Sequence, residues 1–276
     1  MATAYLNDGA TALETAANWS DATGVVADAT LVIPRGSQTI PGVDLSTASG
    51  AGVDYWHIMQ GYTGTIGGGG TSVTIKFDST YTTKPNLLWE GSGFLYISSG
   101  TTACTNAVLN GSGTVALTGG TWTNVYANSG TLIIGAGATV TNLIYAGGTV
   151  IDTFTASLAF TSVTITGSGN VSIARQTTTC TIDGSASVVW NAFGETMTTL
   201  NQNNPGSSFY VLAGNITTAN IKGMFDVSQA QYDVTIGGTA TNLYPTGSIQ
   251  GDGNTRVTIS NKTVFGGANT AGPVPN

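Results

Sequence analysis

A repeat constrains this chain more than any other feature, because a period of about 20 residues can be filled by few kinds of structure. Sliding the sequence against itself aligns Gly93, Gly113, Gly130, Gly148 and Gly169, at separations of 20, 17, 18 and 21. The words around them, GSGFLYIS, GSGTVALT, NSGTLIIG, AGGTVIDT and GSGNVSIA, each set a small-residue turn before alternating apolar positions, the pattern of a half-buried strand. Thr105, Thr123, Thr141 and Thr161 head a second set, TNAVL, TNVYA, TNLIY and TSVTI, at separations of 18, 18 and 20. One period is therefore turn, strand, turn, strand. It is too short for a strand and a helix with their turns unless it were of the leucine-rich kind, whose Leu-x-x-Leu-x-Leu pattern is missing. The chain reads as all-β, a single-chain parallel β-helix (β-solenoid) of about nine coils counted on to the C-terminal strands. Crossover connections favour a right-handed coil, although the shortest coils here also suit left-handed solenoids.

Alignment on the glycine gives columns, and each coil of a solenoid contacts only its neighbours. Two residues beyond the glycine stand Leu95, Val115, Leu132, Val150 and Val171, and four beyond it Ile97, Leu117, Ile134, Asp152 and Ile173. These positions are expected to point inward. So are Ala107, Val125, Leu143 and Val163 in the second strand, with Leu109, Ala127, Tyr145 and Ile165 two residues on. Each large apolar side chain contributes about 1.5–3 kcal/mol on burial, against about 1–2 kcal/mol per residue of backbone ordering, so no coil folds alone. Asp152 breaks its column and reads as a coil edge or bulge, since an unpaired buried carboxylate would be expelled or neutralised. Asn106, Asn124 and Asn142 form a column expected to stack amide on amide.

Composition agrees with many short strands and tight turns: 39 Gly in 276 residues, 41% apolar and 8% charged. A net charge of −7, with seven scattered Lys and Arg, leaves no basic stripe for phosphates, so nucleic acid is not an expected partner. No basic region followed by an apolar core opens the chain, and no apolar run long enough to cross a bilayer occurs, so neither a signal peptide nor a membrane span is expected. Three segments follow: residues 1–90 as an N-terminal capping or attachment β region, 91–260 as the solenoid, and 261–276 as a flexible tail without apolar period. Strands are expected at residues 31–33, 72–77, 187–190, 208–212, 232–236 and 256–259.

The text of residues 18–40, NWSDATGVVADATLVIPRGSQTI, places a Trp-Ser pair before a turn and an apolar strand. It resembles the opening of β-helical surface proteins of tailed phages and of bacterial surface proteins. The resemblance covers Asn18, Trp19 and Ser20, the strand from Asp28 to Ile33, and loosely the Gly-rich coils; the usual glycine before that acid is Ala27 here. It implies a protein of the virion surface.

Residues that could carry chemistry are few. His57 is the only histidine, so no Ser-His-Asp set is expected, and the side chain reads as a packing or hydrogen-bonding group rather than a general base. Asp183 with Glu195 and Asp226 with Asp233 are the carboxylate pairs on offer for glycoside chemistry, and each sits near a turn where such residues are ordinary. GDGN at 251–254 lacks the Asp-x-Asp-x-Asp-Gly order of a calcium loop. Cys104 and Cys180 fall about four coils apart, roughly 19 Å by strand spacing, so both thiols are expected free and buried. No cofactor and no metal is implied, and the chain is read as a non-enzyme.

One negative feature stands out: residues 91–151 contain no Asp, Glu, Lys, Arg or His, whereas exposed β faces ordinarily use charge to prevent association. Alternation sends Phe94, Tyr96, Ala116, Ile133 and Ile151 outward as an apolar stripe, a candidate interface. The leading reading is a structural virion protein, a cement or decoration module on the capsid, self-associating as a homotrimer or docked on the major capsid protein or another virion protein. The alternative is a receptor-binding tail fibre or spike that grips host glycans through exposed Tyr and Trp. A carbohydrate-active β-helix enzyme and a threonine-array ice binder complete the set.

Overall fold

The structure, a computed structural model, describes residues 3–20, 30–45, 52–68, 70–78, 85–100, 102–153, 155, 158–251, 256–266 and 269–271. It is an all-β parallel solenoid of about nine turns. Among the described residues there is no α-helix, only a 3-10 turn at Ala16–Asn18. The chain divides into two compact units, residues 1–141 and 142–276.

The first unit contains β1 (Thr3–Tyr5), β2 (Thr30–Gly36), β3 (Thr39–Ile40), β4 (Tyr55–Tyr62), β5 (Thr65–Ile66), β6 (Val73–Thr74), β7 (Leu87–Trp89), β8 (Phe94–Ser98), β9 (Cys104–Leu109) and β10 (Thr114–Ala127), with the start of β11 (Thr131–Asp152). One wall runs β1, β2, β4, β7, β9 and the second half of β10, every pair parallel. A second wall runs β3, β5, β8 and the first half of β10. β10 serves both by turning a corner where its register shifts between Leu117 and Gly119. Parallel pairing thus extends well before residue 91, into the segment expected to form a cap. Within that segment Trp19 is buried, and its indole N–H donates to the Leu13 carbonyl at 2.9 Å.

The second unit holds the rest of β11 with β12 (Ala159–Ile173), β13 (Gln176–Ile182), β14 (Ser187–Gln202), β15 (Ser208–Ile221), β16 (Met224–Asp226), β17 (Val234–Leu243), β18 (Ser248–Gln250), β19 (Val257–Ile259), β20 (Lys262–Val264) and β21 (Asn269–Ala271). These strands include all four expected after residue 183. The ladder also passes residue 260: β20 pairs with β17, and β21 with β18, so part of the expected tail is strand.

The inward columns fall where the repeat places them. Val115 pairs with Leu95 and Leu117 with Ile97, Val125 with Ala107 and Ala127 with Leu109, Val150 with Val171, Leu143 with Val163 and Tyr145 with Ile165. All of these side chains are buried. The repeated glycine is explained by close approach: a Cβ on Gly93 would lie 1.8 Å from the Gly64 carbonyl oxygen, and one on Gly113 2.1 Å from that of Gly93. The turn can pass this near the coil beside it only without a side chain. The N-terminal part of the Asp28–Ile33 strand, Ala27, and residues 252–254 of the GDGN turn lie outside the described residues.

Candidate functional site

The alternation that buries the columns also decides which side chains face water. In the first unit Phe94, which opens β8, is 47% exposed, and Tyr96 and Ile133 are half-buried. Ala116 departs from its expected place on the outward stripe, being only 6% exposed. Its register partner is Tyr96, and a methyl group so close to the backbone is easily covered by larger neighbours on the same face. In the second unit Ile151 is 45% exposed and pairs with Ser172.

Asp152 is neither an edge nor a bulge residue. It is buried, and so is Arg175, whose Nε donates to Asp152 Oδ1 at 2.8 Å while the Ala174 N–H donates to Oδ2 at 2.9 Å. The guanidinium also lies 5.1 Å from the centroid of the Phe160 ring, a cation–π contact. Burial pushes the Asp152 carboxyl above its ordinary range, and the Arg175 hydrogen bond and charge and the Ala174 N–H oppose that rise. The carboxylate stays inside because it is paired, which removes the reason for placing it at an edge. A sequence signal for the partner exists, because Asp152 and Arg175 are the only charged residues between positions 91 and 182 and stand close to one coil apart. The surface contributed by that whole stretch therefore carries no formal charge.

His57 Nε2 lies 2.7 Å from Glu90 Oε2, and its ring centroid 5.6 Å from that of Tyr55. The hydrogen-bonding role expected of it is present, with a partner in another coil that no motif marks. A polar groove of about 490 Å³ beside Glu90 is lined by Gln60, Ser92, Asn110, Ser112 and Ser129. Ser129 Oγ donates to the Gly111 carbonyl at 3.0 Å, and among the described residues no serine hydroxyl hydrogen-bonds His57. The groove walls offer hydrogen-bond donors and acceptors.

Of the carboxylate-pair residues, Asp226 caps a turn and Asp183 bonds across to the neighbouring coil. Asp183 Oδ1 accepts from Asn203 Nδ2 at 2.9 Å, and Asp226 Oδ1 accepts the Ser228 N–H at 2.8 Å. Glu195 and Asp233 have no side-chain partner among the described residues, and neither pair is brought together by a shared contact. No group of three or more His, Cys, Asp or Glu gathers around a metal position among the described residues. Both cysteines are free and buried, and burial pushes the Cys180 thiol up to about 12. All five tryptophans are buried, so the tryptophan part of a glycan grip does not exist. Their aromatic mass is spent on the core.

Bonds of the expected amide kind run along the Asn106, Asn124 and Asn142 column. Asn124 Nδ2 donates to Asn106 Oδ1 at 3.0 Å, while Asn142 Oδ1 accepts from Ser162 Oγ at 2.8 Å. A second ladder, in the second unit, links Asn201, Asn220 and Asn242 by two 2.8 Å bonds. No known family, curated protein or solved structure matches the chain.

Proposed function

We propose that this chain is a non-enzymatic structural protein of the virion surface, a cement or decoration module on a tailed-phage head. In this reading it packs an uncharged wall against copies of itself in a homotrimer or against the major capsid protein. The observation that carries it is the stretch 91–182, whose only two charges are buried against each other while Phe94 and Ile151 are exposed. Exposed strands without charge associate unless something covers them. The phage-like text at residues 18–40 supplies the setting.

The test is light scattering on the purified chain together with co-sedimentation on particles that lack it. Wild type should form a trimer or sediment with particles. Phe94→Asp with Ile151→Asp, both at exposed positions, should leave melting unchanged and abolish whichever contact is seen. A monomeric wild type that binds no particle would sink the proposal.

A further inference from the structure

Exposed aromatic surface of a different kind occurs within the second unit. Phe193 in β14 and Tyr232 just before β17 are 56% and 42% exposed, and their rings lie 4.4 Å apart between centroids, with planes inclined at 52°. They border a cleft of about 260 Å³ whose other walls come from Gly194, Gly214, Asn215, Asp233 and Arg256. Two of its polar groups are held by hydrogen bonds to main chain. Asn215 Oδ1 accepts the Thr235 N–H at 2.8 Å, which fixes the amide and leaves the Nδ2 end as donor. Arg256 Nη1 donates to the Gln231 carbonyl at 2.6 Å. Asp233 is exposed, and its carboxylate has no partner among the described residues.

The floor is bare backbone for a packing reason. A Cβ on Gly214, whose φ is +93°, would sit 2.5 Å from the Ala192 carbonyl oxygen and 2.7 Å from the buried indole nitrogen of Trp190. Gly194, with φ +76°, has open space where its Cβ would be. The cleft therefore sets a pair of touching, exposed aromatic rings and the bare main chain of exposed Gly194 beside three polar side chains. Binding sites for small molecules join apolar walls to a few convergent polar groups in this way.

We propose that this cleft binds one neutral pyranose ring, such as a hexose or an N-acetylhexosamine. The C–H face of a pyranose is apolar and lies against aromatic faces. Its hydroxyls are at once donors for Asp233 and acceptors for Asn215 and Arg256. One acid and one base leave the lining without net charge, so anionic sugars gain nothing over neutral ones. The cleft is smaller than the roughly 300–1,000 Å³ of drug-sized sites, which suits a single ring rather than a length of polymer. The proposal does not rest on the structural role above, since a chain that neither trimerises nor attaches to particles could still bind the sugar.

Saturation-transfer NMR on the full chain provides the test, with methyl glycosides of glucose, galactose, mannose and N-acetylglucosamine as probes and sialyllactose as the anionic comparison. At roughly 10 mM, well above a millimolar Kd, at least one neutral glycoside should receive saturation, strongest on its ring C–H protons. Tyr232→Ala and Asp233→Asn should each weaken it about tenfold or more, and Phe94→Ala should not. The same sugar ending a trisaccharide separates the two sources: tighter binding assigns a glycan terminus, equal binding a free monosaccharide. Asp233→Asn keeps the test decisive if Tyr232→Ala lowers melting. No transfer to any neutral glycoside, transfer to sialyllactose alone, or transfer unchanged by Asp233→Asn overturns the proposal.

Discussion

Asp152 and Arg175 show what a single residue can hide. A lone carboxylate in an apolar column is too costly to bury unpaired, and in the folded chain its charge meets a guanidinium that is itself fully enclosed. Removing one partner strands the other, which costs about 3–5 kcal/mol, whereas replacing both by apolar groups of similar volume is often neutral or better. Asp152→Ala should therefore lower the urea midpoint strongly without changing the slope, and Asp152→Leu with Arg175→Met should recover most of the loss. A single variant as stable as wild type would show that the pair is not closed in solution. The thiols make a second residue-scale case. With Cys180 held at about 12 and Cys104 also raised by burial, almost no thiolate exists near neutrality. Neither should react with a disulfide reagent at pH 8 until denaturant is added. Prompt modification of one thiol per chain in native buffer would show that its strand opens locally.

At the scale of strands and coils, legibility follows the regularity of the period. Between residues 91 and 183 each coil has almost the same length, so glycine, apolar and amide columns can be read directly and are found in register. Before residue 91 the same wall continues, yet the step in sequence from Thr30 to its partner Tyr55 is shorter than that from Trp56 to its partner Leu87. Loops of unequal length erase the period there while leaving the pairing intact, which is why those coils read as a cap in the sequence. Contacts between coils are legible when both partners share a column or, like Asp152 and Arg175, are the only charges in their stretch; Glu90 against His57 and Phe193 against Tyr232 are neither, and neither contact shows in the repeat. The amide ladder tests how far columns stabilise coils. Asn220 both donates to Asn201 and accepts from Asn242, so Asn220→Ala removes two hydrogen bonds where Asn242→Ala removes one. At about 0.5–1.5 kcal/mol for each net bond, the first should cost roughly twice the second in chemical denaturation. Equal losses would mean that the ladder acts through side-chain packing instead.

For the chain as a whole, the distribution of charge sets how copies should meet. One acid and one base of the 14 and 7 present lie within residues 91–182, and they cancel. The remaining 13 acids and 6 bases carry the whole net charge of −7, so the proposed contact surface is neutral while the molecules that bear it repel one another. These two terms respond differently to salt. Repulsion between exposed charges is screened beyond about 10 Å at 0.1 M ionic strength and beyond about 3 Å at 1 M, whereas apolar contact is not weakened by salt and is strengthened by sulfate. Self-association through this wall should therefore tighten as sodium chloride rises from roughly 0.05 to 0.5 M, and tighten further in sulfate at equal ionic strength. An interface built on ion pairs would loosen over the same range, because its attraction is what salt screens. Sedimentation velocity across such a series reads the sign directly: dissociation with added salt would place the contact among the charged coils outside residues 91–182.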